Sequence, residues 1–417
     1  MSFITSLTRM WLTRTIQPFT FKNEYDPLLP FADCENLGLY VHIPFCKTIC
    51  NFCPYCKVRF STELCDRYID ALIQEIHLVG KQHTERKKAT SLYIGGGTPA
   101  LAANRIREIL EALNEHFIIT EGIGLELHPD NVNVKTLQTL KDAGVTKISI
   151  GIQSFCDQYQ KILGRRKIDV SAMMAALEKV SFETISMDFI FALPGQTYED
   201  LKSDIDMAFS LGANHIAIYP FIDFTFTEST VTVMPKKEKR ELLDTITKYC
   251  LNKGYFRSSV WTFSSEPNAN YSSMTRDNFL GFGCSSTSLF KEQFKINTFD
   301  VAAYCERIHE GNLATSLTIR FTKRQRMIYW LFWTAYSTRV NAGDFEKFFG
   351  VPLRKMYGFE LWLAKRLGFI QEHDGIYEMT LKGAFYYHYY ESFYTLSYID
   401  KMWSILREEA FPKHIEL

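Results

Sequence analysis

The sequence lacks any apolar run of the roughly 18 to 20 residues needed to cross a bilayer; the best candidate, MIYWLFWTAY at Met327 to Tyr336, is too short and reads as a buried helix. It also lacks net charge, because 47 Lys and Arg balance 47 Asp and Glu. No global field therefore draws in DNA, RNA or a strongly anionic substrate, and charged recognition has to be local. There is no hydrophobic signal region followed by a small-residue cleavage site, and no persuasive acid–base dyad or serine–histidine triad. A chain of 417 residues has core enough to fold without disulfides. Its ten cysteines thus fit a reduced, cytoplasmic compartment, where clustered thiols read as ligands before bridges.

No acidic residue precedes Glu24, and Phe3, Leu7, Met10 and Trp11 fall on one helical face opposite Thr5, Thr8 and Arg9. Three readings of this segment compete: a helix packed on the catalytic domain, peripheral membrane contact, and an organellar targeting segment.

What is abundant is a βα repeat. Short β-branched or aromatic runs at 37–43, 91–97, 122–128, 145–152, 184–191 and 214–220 alternate with amphipathic stretches such as Leu64, Tyr68, Leu72, Ile76 and Ile106, Ile109, Leu110, Leu113. Near-continuous apolar strands between such helices predict an α/β fold with a parallel sheet, and six units suggest a partial (β/α)6 barrel with its site at the carboxyl ends of the strands. From about residue 320 the pattern changes to three helices and a small hairpin, GFIQEHDGIYEMT, in the order of a winged helix. Such a module serves DNA binding or plain packing, and neither a basic stripe nor net charge supports nucleic acid. The tyrosine-rich tail YYHYYESFYTLSYIDKMW could cover a substrate or pack on the barrel. The division expected is an amphipathic segment over 1–36, a core barrel with its extension over 37–315, and a C-terminal winged-helix-like α+β domain over 316–417.

The chemistry is concentrated in YVHIPFCKTICNFCPYCKV, Tyr40 to Val58, with Cys46, Cys50, Cys53 and Cys56 on one turn. A C-x3-C-x2-C loop directly after a strand can aim three thiolates at three corners of an iron–sulfur cube and leave the fourth iron open. Closure of that corner by Cys56, a four-thiol zinc site and a closed ferredoxin-like carrier are the alternatives, although zinc sites usually split their cysteines into two pairs. His42, inside the first strand, reads as a buried, hydrogen-bonded histidine rather than a ligand. YIGGGTPA, around Gly96, Gly97 and Thr98, lets backbone come close to a ligand.

Loop and glycine run together resemble the radical S-adenosylmethionine (radical SAM) superfamily. The closer resemblance is to its oxygen-independent coproporphyrinogen III oxidase-like (HemN-like) branch, whose marks stand in order from about Gly38: LYVHIPFC, GGGTP, LELHPD, GVTKISIGIQSF, ILGRR, MDFIFALPGQT and FLGFGCSS. The resemblance implies that Cys46, Cys50 and Cys53 hold a 4Fe-4S cluster whose open iron chelates S-adenosylmethionine. It further implies that the strand end at Gly96 and Gly97 contacts the methionine part, that Tyr40 lies near the sulfonium as the catalytic residue, and that Phe52 lies by the adenine. Thr98, Glu126, Gln153, Arg165 and Asp188 would contact this first cofactor; taken singly, the charged ones read equally as loop charges or structural ion pairs. Ile190, with Gly281 and Gly283 of GFGCSS, would lie by a second S-adenosylmethionine, though GFGCSS could be a tight turn and no more.

The implied activity is reductive cleavage of S-adenosylmethionine to a 5′-deoxyadenosyl radical that acts on a hydrophobic substrate, with a tetrapyrrole slightly ahead. The electron would come from a low-potential donor such as flavodoxin or ferredoxin. The branch offers oxidative decarboxylation of porphyrinogen propionates, methyl transfer with a second S-adenosylmethionine, or heme handling, including a heme-binding chaperone with little turnover. Two departures weaken a true coproporphyrinogen oxidase. That family has a cysteine two positions after the third cluster cysteine, where Tyr55 stands here, and an electroneutral chain does not advertise a pocket for four propionates.

Overall fold

The computed structural model describes residues 3–229, 231–267 and 277–417. Strands Leu37–Ile43, Leu92–Gly96, Ile123–Leu127, Lys147–Gln153, Thr184–Phe191 and His215–Pro220 lie side by side in chain order, all parallel. The expected repeat is thus the fold. The first strand shows why its run is apolar at nearly every position: all of it but Tyr40 is buried, as in a sheet covered on both faces. Helices Thr62–Gly80, Ile106–His116, Val134–Ala143, Val170–Lys179 and Tyr198–Ser210 supply the outer layer. Tyr68, Leu72 and Ile76 bury the predicted face of the first of these, which begins where the Ser61 hydroxyl accepts from the Leu64 amide. The last begins on a reciprocal Thr197–Asp200 capping box.

The first and sixth strands do not meet. Instead Asn278–Phe282 pairs parallel with Leu37–Ile43, setting Gly281 opposite Tyr40. Antiparallel strands Thr287–Leu289, Gln293–Asn297 and Thr315–Arg320 follow, and then Thr20–Lys22 and His414–Glu416. Gly281 is required there, since a Cβ would stand 2.3 Å from the Thr287 carbonyl oxygen. The opening left between the sixth strand and this extension is closed by helices Lys323–Tyr336 and Leu381–Tyr394. The first receives the Val260 amide on the Tyr336 carbonyl (3.0 Å) and the second donates from the Tyr387 hydroxyl to the Phe332 carbonyl (2.8 Å).

Helices Lys323–Tyr336, Ala342–Phe349 and Leu353–Arg366 and the hairpin Ile370–His373/Ile376–Met379 form the winged helix. A short strand, Arg339–Asn341, completes a three-stranded sheet beside the hairpin. The unit has its own core of Met327, Trp330, Phe345, Phe349 and Tyr377. Thr315–Arg320 pairs with Gln293–Asn297 in the large sheet, so the winged unit takes over only at Lys323.

The amino-terminal helix, Phe3–Thr13, packs on the molecule with the face opposite to the one its apolar residues suggest. Thr5 is fully buried, whereas Leu7 and Trp11 are 46% and 52% exposed. The cause is the surface it meets: Thr5 and Thr8 hydrogen-bond Tyr398 and Tyr390 of the tyrosine-rich tail, a partner with polar tips. Trp11 lies instead 6.1 Å from Phe359, with the Arg14 guanidinium above it.

Candidate functional site

A cavity of about 730 Å3 opens at the carboxyl ends of the barrel strands and runs under the tail helices. The cysteine loop forms one of its walls. Cys46 ends the short strand Phe45–Cys46, held by the Val58 amide on the Pro44 carbonyl (2.7 Å) and the Phe60 amide on the Cys46 carbonyl (2.9 Å). Lys57 ties the loop back on itself through the Cys53 carbonyl. Cys46, Cys50 and Cys53 all line the cavity. Burial pushes the Cys46 thiol up to about 11 and raises Cys50, and the neighbouring sulfurs add to both shifts. Such thiols stay protonated until a metal ion displaces the proton.

Cys56 points elsewhere. Its sulfur is buried against the Phe299 carbonyl at 3.2 Å and the Cys284 sulfur at 4.0 Å, and the His42 Nε2 lies 3.1 Å from its carbonyl oxygen. His42 is therefore the hydrogen-bonded core histidine expected of it.

Around the three cavity-facing thiols stand most of the residues singled out in the sequence: Phe52, Gly96, Gly97, Thr98, Glu126, Gln153, Arg165, Asp188 and Ile190. Gly97 passes so close to the loop that a Cβ would lie 2.9 Å from the Cys46 sulfur and 2.7 Å from the Phe45 carbonyl oxygen. The Thr98 hydroxyl lies 3.8 Å from the same sulfur. Glu126 accepts from the Tyr93 hydroxyl (2.9 Å) and the Gly96 amide (3.0 Å), and burial raises its pKa. Asp188, pushed up to about 7 chiefly by burial, accepts from the Ser149 hydroxyl at 2.8 Å. Arg165 donates from Nη1 to the Gly151 carbonyl at 2.7 Å while its buried Nε has no partner, a donor left for a ligand. Three soft sulfur donors on one side and a carboxyl, a second carboxyl and a guanidinium on the other fit a cluster with an amino-acid-like ligand beside it.

Tyr40, partly exposed, faces the same side as Tyr93, stacked on it at 6.4 Å with its hydroxyl 3.0 Å from the His42 Nδ1. Two residues do not reach the wall. Gly281 and Gly283 are buried in strand packing: a Cβ on Gly283 would meet the Tyr68 hydroxyl at 2.5 Å, and its amide donates to Glu75 at 2.7 Å. Phe279, Thr287 and Leu289 form the cavity surface there instead. Tyr93 adds to the residues singled out in the sequence, since it sits in register with Tyr40 on the neighbouring strand, faces the same side and lines the cavity.

The tail both packs on the barrel and lines the cavity. Asp400 accepts from the Thr225 amide (2.8 Å) and hydroxyl (2.7 Å), fixing the tail to the loop after the sixth strand. Trp403 lies 6.0 Å from Tyr55 of the cysteine loop, while Glu391, Tyr394 and Tyr398 line the cavity.

Residues 40–208 match the Radical SAM superfamily. The chain carries a radical SAM domain, built on the strands that bear the cysteine loop and the carboxyl groups just described. Over 82% of its length it is 26% identical to heme chaperone HemW of Bacillus subtilis (strain 168), covering 95% of that protein. It is 28% identical over 69% of its length to the oxygen-independent coproporphyrinogen III oxidase of Cereibacter sphaeroides (strain ATCC 17025 / ATH 2.4.3), covering 68% of it. Its fold is like that of coproporphyrinogen III oxidase (HemN) from Escherichia coli, with a TM-score of 0.73, 21% identity, and coverage of 88% of this chain and 90% of that one. In its matched domain, its relatives and its fold the chain is similar to HemN-like radical SAM proteins.

Proposed function

We propose that the chain is a radical SAM enzyme in which Cys46, Cys50 and Cys53 hold a 4Fe-4S cluster, and that it acts on a flat hydrophobic substrate, a tetrapyrrole before others. The observation that carries this is the split within one short loop: three sulfurs open on the cavity and the fourth, Cys56, is turned into the core. When bound and reduced by a low-potential donor, cluster and S-adenosylmethionine together supply a 5′-deoxyadenosyl radical. The chain's own part is placement. Arg165 presents its unpaired Nε for a carboxylate, Glu126 and Asp188 offer acceptors for ammonium or hydroxyl groups, and Phe52 offers an apolar ring for a base. The Tyr93 hydroxyl and Gly96 amide hold Glu126 in position. The tail, clamped by Asp400, walls the substrate end with aromatic rings that exclude water.

Anaerobically reconstituted, dithionite-reduced protein with S-adenosylmethionine is expected to release 5′-deoxyadenosine, stimulated by a tetrapyrrole. Movement of label from the S-adenosylmethionine methyl group into product would make the enzyme a methyltransferase. A second reading, a heme-binding chaperone with little turnover, is favoured by the nearly full-length match to a heme chaperone. Tight heme binding without nucleoside release would establish it in place of the first.

A further inference from the structure

The basic groups in the cavity wall are segregated, although carboxyls stand at both ends. Among the described residues, its basic side chains Lys47, Lys57 and Arg165 all belong to the cysteine-loop end: Lys57 bonds the Cys53 carbonyl, and Arg165 acts on Cys50. The wall supplied by the tail and by helix Lys323–Tyr336 is aromatic, with Tyr329, Trp333, Tyr336 and Tyr394 on it, and its charged group is Glu391. Glu391 and Trp403 lie on one run of helical turns. At about 1.5 Å rise per residue, the carboxyl stands roughly 18 Å along the helix from the ring that touches the cysteine loop. Glu391 is fixed in place: Trp261 hydrogen-bonds it, and its Oε2 is 4.0 Å from the Nδ1 of buried His388. Lys239 acts on Glu391, and Arg9 hydrogen-bonds Tyr398 and donates to the Ile16 and Gln17 carbonyls, but neither cation lines the cavity.

We infer that this aromatic end selects the substrate by charge: it takes an uncharged, flat part of the molecule and turns carboxylate substituents away, with Glu391 as the specificity-determining residue. Burial pushes the Glu391 carboxyl up to about 7, so above that pH a carboxylate driven there would lose its water, find no cation in the wall and face a like charge. A ring with one or two acidic edges can enter by its apolar edge, with its carboxylates left toward the other end, where Lys47 lines the wall. A ring that carries a carboxylate on every side cannot. The inference rests on the proposed reading of this cavity as the substrate site.

The test uses the full chain, reconstituted and with S-adenosylmethionine, titrated at about pH 8.5, where Glu391 is ionised, with coproporphyrin III and with its tetramethyl ester in the same detergent. Quenching of tryptophan fluorescence is read, since Trp261, Trp333 and Trp403 line the cavity. The two ligands share a ring and differ only in whether each of its sides bears a charge. The ester is expected to bind at least tenfold more tightly; Glu391→Gln should narrow that ratio, and Glu391→Lys should abolish or reverse it. Equal binding, tighter binding of the acid, or binding of neither overturns the inference. An ester preference that both variants leave unchanged overturns the role of Glu391, because plain hydrophobicity would then explain it. Release of 5′-deoxyadenosine from the same samples reports separately on the radical reading, so charge selection can fail while that reading stands, and the reverse.

Discussion

Cys56 and its neighbours share a loop but not a surrounding, and side-chain direction separates their roles. Cys50→Ala removes a sulfur from the cavity wall and is expected to abolish both the brown chromophore of the reconstituted protein and nucleoside release. Cys56→Ala removes a buried sulfur that touches the Phe299 carbonyl. It should keep chromophore and release while lowering stability by about 1–3 kcal/mol, read as a lower denaturation midpoint. Loss of the cluster in that variant would mean that all four thiols are ligands. Asp188 carries a prediction of its own sign. Burial raises its folded-state pKa from 3.8 to about 7, so the folded protein holds this proton where the unfolded chain has released it. The stability it contributes is present at low pH and lost as pH rises through that window. In protein without cofactor, Asp188→Asn should therefore reduce the fall in thermal midpoint between about pH 5 and pH 8. An unchanged slope would show that the carboxyl is not held protonated.

At the scale of elements, the tail joins the two ends of the site. The helical run from Leu381 to Glu408 carries Glu391 and the cavity tyrosines at one end and Trp403 at the other, and Asp400 pins it to Thr225 with two hydrogen bonds. Asp400→Ala leaves the Thr225 amide and hydroxyl to find water. It is expected to cost about 1–3 kcal/mol. Because the clamp is local, the loss should appear as faster hydrogen exchange over 381–408 and weaker substrate binding, with the cluster retained. The amino-terminal helix braces the same run from outside through Thr5 and Thr8. A chain lacking residues 1–17 should show a lower thermal midpoint and the same increase in tail exchange, yet still bind the cluster, because the helix lies against the tail and not the cysteine loop.

For the whole molecule, the partial barrel and the winged helix are two cores that cooperate in one cavity. Six parallel strands leave a side open. The extension strands and the helices after residue 320 close it, which gives the winged unit a packing duty. Opposite ends of the chain meet here too: Phe19 and Leu417 exchange amide hydrogen bonds of 2.8 and 2.9 Å. The cavity is therefore built from residues nearly four hundred positions apart, from Phe19 to Leu417.

The sequence by itself determined the strands, the outer helices and the cysteine loop, because each is written in a local period or spacing: near-continuous apolar runs, 3.6-residue stripes, and C-x3-C-x2-C after a strand. The family resemblance, read on its motifs, picked out Phe52, Gly96, Gly97, Thr98, Glu126, Gln153, Arg165, Asp188 and Ile190, all of which line the cavity. Tyr93 was within its reach through strand alternation. Tertiary structure alone decided which way Cys56 points, because a spacing fixes where a side chain starts and not where its sulfur ends. It also decided that Gly281 and Gly283 serve strand packing, and that the amino-terminal helix buries its threonines, since a helix turns toward whatever its partner offers and that partner is a tyrosine-rich tail some 380 residues away in sequence. The placement of Glu391 among aromatic rings, with no basic group in that wall among the described residues, is of the same kind: it depends on contacts between distant segments that no local pattern encodes.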